Sequence, residues 1–240
     1  MSSNINIKQL DLDLPYALEE ALNSLRINVG FLGEDIKKIM VVSSFPNEGK
    51  SMIALNLWKQ LSNAGMSACY VDLDLRNSLI IDKYGMELED KSSIKGLSHL
   101  LSSNDAIEDY IYKTKYGNSC VIPNSKNIIN PSLLLEGKRF TQLLDTLSNK
   151  FRYVLLDVPP IQLISDAERI GSMCDGCIVV VRANETSKKA VHDTINKLER
   201  SGCKVLGIVL NRVDTKSRKY YYGNKNYYHH DYYYGGGGRK

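Results

Sequence analysis

The chain has 240 residues, 43% hydrophobic and 24% charged, which suits one α/β domain with modest extras. No apolar run approaches the roughly 20 residues that cross a bilayer, and the polar N-terminus lacks a signal-peptide pattern, so a cytoplasmic domain is expected unless a partner anchors it. The net charge of +4 is unevenly placed: from Thr215 to Lys240 six basic side chains face the single acid Asp231, whereas residues 1–214 carry 25 basic and 26 acidic groups.

Residues 1–14 are polar and are expected to be a flexible N-terminus. From Pro15, the segment Tyr16 to Phe31 has amphipathic-helix spacing, with Leu18, Leu22, Leu25 and Val29 on one face and Gly33 as its stop. The apolar run Ile39-Met40-Val41-Val42 predicts a buried strand. A turn follows, and Gly49-Lys50-Ser51 opens a helix through Leu61. Ala68 to Asp74 predicts a second strand. Residues 76–118 carry a weak pattern, with helices expected around Ile94–Leu101 and Ala106–Tyr112. Cys120–Pro123 predicts a short strand, and Pro131 starts a helix to about Ser148. Strands at Tyr153–Asp157, Cys177–Arg182 and Val205–Asn211 alternate with helices at Ala167–Met173 and Ser187–Ser201. Apolar strands alternating with helices predict a mostly parallel central sheet covered by helices on both faces, spanning residues 15–214. The five cysteines lie mostly in apolar runs, as reduced core thiols do, and Cys174-x-x-Cys177 has no second pair to complete a metal site.

The strand-turn-helix around Ser44-Phe45-Pro46-Asn47-Glu48-Gly49-Lys50-Ser51 has the context of a phosphate-binding P-loop, although Ser44 occupies its first glycine position. Free N–H groups at a helix start, together with the positive end of its dipole, favour a polyphosphate. Asn47, Glu48, Gly49, Lys50, Ser51 and Met52 are the candidate nucleotide-binding residues. Gly49 permits close backbone approach, Lys50 supplies a point charge and the Ser51 hydroxyl can ligate Mg²⁺. An ordinary turn capped by Ser51 is the bland alternative. Two strands that end in acids weigh against it: Val71-Asp72-Leu73-Asp74-Leu75-Arg76 and Leu155-Leu156-Asp157-Val158-Pro159-Pro160. Magnesium on a triphosphate needs one or two protein carboxylates, and Asp72 and Asp157 are the candidates beside Ser51.

These three motifs resemble those of the bacterial P-loop tyrosine kinases of capsular and exopolysaccharide biosynthesis, whose pattern combines S-x-x-P-G-E-G-K-S, D-x-D-x-R and D-T-P-P. Asn47 stands here for a glycine and Val158 for a threonine, and neither change removes a charge. The similarity continues through Asn130-Pro131-Ser132, Ser165-Asp166-Ala167, Asp175-Gly176 and Val209-Leu210-Asn211, over nearly all of residues 16–214. It implies an ATP- and Mg²⁺-dependent protein-tyrosine autokinase, with Lys50, Asp72, Asp74 and Asp157 as catalytic residues and Asn211 near the adenine. It further implies a homo-oligomer, a ring in the family. A separate membrane-anchored activator would recruit it to the inner face of the membrane, and further protein substrates would lie in polysaccharide synthesis. The family's interface motif E-x-x-R-x-x-R reads Glu20-x-x-Asn23-x-x-Arg26, leaving Glu20 and Arg26 as interface candidates. Partitioning and septum-placement ATPases share the fold and offer the alternative of an ATPase switch, but they carry a second lysine where this chain has Phe45.

Residues 215–240 form the last segment. Tyr220, Tyr221, Tyr222, Tyr227, Tyr228, Tyr232, Tyr233 and Tyr234 are eight of the fifteen tyrosines, spaced by Gly, Asn, Lys and His with no aliphatic residue. Such a composition predicts disorder. The resemblance makes it a phosphoacceptor cluster. A basic, aromatic-rich segment could also stack on single-stranded nucleic acid, but the family resemblance supports the acceptor reading, and no nucleic acid partner is expected.

Overall fold

The structure is a computed structural model and describes residues 3–213. Its main sheet is built from β2 (Lys38–Ser43), β3 (Ala68–Asp72), β5 (Tyr112–Lys113), β6 (Cys120–Ile122), β7 (Tyr153–Asp157), β8 (Gly176–Arg182) and β9 (Val205–Asn211), in the order β5-β6-β3-β7-β2-β8-β9. All neighbouring pairs are parallel except β5 on β6. Because β2 after Lys38, and β3 and β7 throughout, are apolar up to their last residues, helices cover both faces. On one side α1 (Tyr16–Gly30) and α2 (Lys50–Asn63) pack on Ile39, Val41, Tyr70, Leu155 and Val180. On the other, α4 (Leu97–Ser102), α6 (Lys138–Lys150), α7 (Asp166–Gly171) and α8 (Lys188–Arg200) pack on Met40, Val42, Val71, Leu156 and Val179. The expected mostly parallel sheet with two covered faces is present. Among the described residues no helix is long and apolar enough to cross a membrane.

Three expectations are corrected. The N-terminal residues are not a loose arm: β1 (Ile5–Ile7) pairs antiparallel with β4 (Met86–Leu88), and Ile5 and Ile7 are each 1% exposed. A three-residue strand is too short to register as periodicity, and its partner lies in the stretch with the weakest pattern. The Ala106–Tyr112 helix is a single 3₁₀ turn, Ile107–Tyr110, running into edge strand β5. The long helix from Pro131 is two, α5 (Ser132–Glu136) and α6, because Gly137 is extended at φ −70° and ψ 151°. The tyrosine-rich segment lies outside the described residues.

Burial of β1 makes a direct prediction. Ile7→Ala should cost about 2–3 kcal/mol in urea denaturation, the range for emptying a buried aliphatic site. An unchanged midpoint would mean that residues 5–7 contribute nothing to the fold.

Candidate active site

The loop between β2 and α2 enters the helix through two left-handed residues, Asn47 at φ 63° and Gly49 at φ 96°. Asparagine is among the few non-glycine residues that tolerate this region, which explains how Asn47 can stand in for glycine. Gly49 has no such substitute: a Cβ there would lie 2.1 Å from Nδ2 of Asn211. The first intrahelical bond runs from the Ile53 N–H to the Gly49 carbonyl. The N–H groups of Lys50, Ser51 and Met52 therefore have no partner within the helix, and these three residues line a cleft of about 270 Å³. That cleft is also lined by Asn47, Asp72, Asp74 and Arg212.

Side chains from distant elements hold the loop in shape. Glu48 is buried, and its carboxylate accepts the Phe45 N–H at 2.8 Å and the Thr186 hydroxyl. The Asn211 amide donates to the Glu48 carbonyl at 2.8 Å. Asn211 thus reaches the P-loop, and the neighbouring Arg212 lines the cleft. Ser44, at the first glycine position, places its hydroxyl 2.9 Å from that of Thr194 on α8.

The acids converge because β3 and β7 are adjacent and in register, which pairs Asp72 with Asp157. Lys50 reaches across to them: its Nζ lies 3.2 Å from Oδ1 of Asp157 and 3.5 Å from both Oδ2 of Asp74 and Oγ of Ser51. Burial pulls the Lys50 pKa down, and the charges of Asp157, Asp74 and Asp72 more than reverse this, so it lies above the usual lysine value. Asp72 is 2% exposed. Burial, followed by repulsion from Asp157, pushes it up to about 7 despite its bond from Ser78 and the charge of Lys50. Its carboxylate also accepts the N–H groups of Asp74 and Asn124, at 3.1 and 3.3 Å. Asp157 accepts a second bond, from the Tyr70 hydroxyl at 2.8 Å.

Arg76 forms a strap rather than a cleft contact alone. Its Nε and Nη2 donate to the two oxygens of Asp166, at 2.7 and 3.2 Å, and its Nη1 donates to the Ile129 carbonyl at 2.9 Å. Ser132 donates to Asp166 as well, at 3.2 Å. The D-x-D-x-R, N-P-S and S-D-A segments are therefore one assembly.

The residues present fit a magnesium nucleotide. The donors are hard oxygens from Ser51, Asp72, Asp74 and Asp157, beside the N–H groups at the start of α2 that have no partner within the helix. Among the described residues no group of three or more His, Cys, Asp or Glu is arranged to hold a metal ion by itself. Magnesium does not need one, since it keeps waters and takes ligands from phosphates.

The structure brings together Asn47, Gly49, Lys50, Ser51, Met52, Asp72 and Asp74 around the cleft, with Asp157 in contact with Lys50. Glu20 and Arg26 lie on α1, with the Arg26 guanidinium held by Asn23 at 2.9 Å. Tyr220, Tyr221, Tyr222, Tyr227, Tyr228, Tyr232, Tyr233 and Tyr234 are outside the described residues. Sequence reasoning missed Tyr70, Ser78, Asn124, Thr186 and Thr194. Each sits in an unremarkable local pattern and gains its role only through tertiary contact.

Comparison with known proteins gives a consistent answer. The AAA domain family matches residues 36–206. The tyrosine-protein kinase CpsD of Streptococcus agalactiae is 35% identical over 202 residues, covering 84% of this chain and 86% of that protein. The kinase domain of the Escherichia coli tyrosine kinase ETK superposes with a TM-score of 0.79 at 26% identity, covering 92% of this chain and 86% of that one. A septum site-determining protein, MinD of Pyrococcus horikoshii, at 22% identity and a TM-score of 0.62, shares the fold alone. With its nucleotide-binding P-loop and its acid-ended strands, the chain belongs to the bacterial P-loop tyrosine-protein kinases.

Proposed function

We propose that the chain binds Mg·ATP in the P-loop cleft and transfers the γ-phosphoryl group to the tyrosines at 220–234 of a neighbouring copy. The observation that carries this reading is the convergence of Lys50, Asp72, Asp74 and Asp157 at a P-loop, in a chain whose last 26 residues hold eight tyrosines. Residues 15–214 are the kinase domain in this reading, and 215–240 are its acceptor segment. At most roughly 85–95 Å of chain can extend from Thr215, enough to reach another subunit.

A tyrosine hydroxyl, with a pKa of about 10, is a weak nucleophile at neutral pH. Asp72, poised near 7, accepts its proton as the phenolic oxygen bonds to the γ-phosphorus. The bond to the β-phosphate oxygen breaks and ADP leaves. Lys50 balances charge on the outer phosphates, and the free N–H groups of the first turn of α2 hold them. Ser51, Asp157 and, in its ionised form, Asp72 would hold Mg²⁺, with Asp74 beside them, and its positive charge would offset the negative charge on the transferring group. Glu20, exposed, and Arg26, half-buried, on α1 serve the homo-oligomer, in which a ring is the family's form. A separate membrane-anchored activator places the enzyme at the inner face of the membrane, and the output is control of capsular or exopolysaccharide synthesis, including other protein substrates there.

Lys50→Met should abolish tyrosine labelling by ATP, and Asp157→Asn should lower it by at least about 100-fold, with the fold retained by circular dichroism. Mixing Lys50→Met that keeps its tail with active protein truncated after Val213 should label the inactive chain. Absence of labelling in that mixture would exclude transfer between subunits.

The raised Asp72 pKa also makes a stability prediction. Above the unfolded value of 3.8 the unfolded chain has lost a proton that the folded chain keeps until about 7. Stability therefore falls as pH rises through this window, by up to about 4 kcal/mol at about 1.4 kcal/mol per pH unit. In nucleotide-free protein, Asp72→Asn should gain on the parent between pH 4 and 7 and hold a constant difference above it. A difference independent of pH in chemical denaturation would contradict this electrostatic picture.

A further inference from the structure

Tyr70 is a buried side chain at the site that none of the motifs accounts for. It lies on β3 two residues before Asp72, which puts both side chains on the same face of the strand. It is 0% exposed and packs within the core on the α2 side. A phenylalanine would fill the same volume. The hydroxyl must be desolvated to enter this core, a cost that is recovered only through a hydrogen bond. Its partner is Oδ2 of Asp157, at 2.8 Å.

The two oxygens of Asp157 are thereby divided. Oδ2 is committed to Tyr70 from within the core, and Oδ1 faces Lys50 at 3.2 Å on the cleft side. The carboxylate itself is 1% exposed, so water does not compete for either oxygen. Lys50 is also the residue that phosphate charge attracts. When Lys50 turns to phosphate, Tyr70 is the contact that continues to hold the Asp157 carboxylate.

We propose that Tyr70 is a positioning residue for cation binding: its hydroxyl fixes the Asp157 carboxylate so that Oδ1 is presented to the magnesium ion at the P-loop. This rests on the magnesium-nucleotide reading of the site. Without the hydroxyl, Asp157 keeps its charge but can turn about its last side-chain bond, and it presents either oxygen. The loss falls on the cation and spares the nucleotide, whose phosphates are held by Lys50 and the loop. Partners of this kind that orient a metal ligand typically contribute 10- to 100-fold in metal affinity.

The test uses the full chain, ADP and Mg²⁺ in a calorimeter, with Tyr70→Phe, Asp157→Asn and the double variant. In EDTA, Tyr70→Phe should bind ADP within about twofold of the parent, which also shows that the cleft is intact. At fixed ADP its Mg²⁺ midpoint should rise about 10-fold. In the Asp157→Asn background the same substitution should shift the midpoint no further, because the two residues act as one unit. A Tyr70→Phe midpoint within twofold of the parent, while Asp157→Asn shifts, would overturn the proposal and leave the hydroxyl as a satisfied core group. Equal losses of ADP affinity with and without Mg²⁺ would also overturn it, as the mark of a general packing role. A parent chain whose ADP binding ignores Mg²⁺ would overturn the magnesium reading along with it.

Discussion

Three carboxylates and one lysine meet where β2, β3 and β7 end, and the geometry of the site follows from that crowding. Asp72 and Asp157 face each other because two adjacent parallel strands are in register, a spacing of about 4.8 Å between backbones. Both are almost fully buried. Burial out of water, and then repulsion from Asp157, let Asp72 hold its proton to about pH 7. Lys50 offsets part of the excess by standing between Asp157 and Asp74. The negative charge that remains is the basis of the proposed magnesium-nucleotide site.

Keeping such a cluster in place requires bracing from outside it. The P-loop is held from behind by Asn211, Thr186 and Thr194, which come from β9, the β8–α8 loop and α8. The acidic loop after β3 is tied by Arg76 to Asp166 and by Ser78 to Asp72. Asp175 works at the opposite end of the sheet, where it accepts the N–H groups of Lys37 and Lys38 at 2.9 and 2.7 Å. Asp175 apart, the short motifs scattered between residues 44 and 211 are thus of two kinds: those that line the cleft and those that hold the lining in position.

The sheet and its flanking helices were legible because β2, β7 and β8 are continuous apolar runs bounded by clear stops. The P-loop, Asp72 and Asp157 were legible because their chemistry is local to a strand end. Other features had no local signal. Ile5 and Ile7 form a strand only because Met86 and Leu88 supply its partner. Gly137 divides a helix through its backbone conformation, which a single glycine in an otherwise helical pattern does not specify. In an apolar strand Tyr70 is indistinguishable from any other core aromatic until its hydroxyl is seen against Asp157. Asn211 was expected near the base, and its amide bonds to the P-loop backbone.

In the proposed function the charge cluster drives phosphoryl transfer to this chain's own tyrosines rather than to water. The most direct measurement is to incubate the purified chain with Mg·ATP, follow ADP formation, and locate phosphate by peptide mass spectrometry. Phosphotyrosine should appear between Tyr220 and Tyr234 and accumulate in step with ADP. Steady ADP and inorganic phosphate release with all eight of these tyrosines unmodified would contradict this reading, and would make the protein an ATPase switch on the same fold.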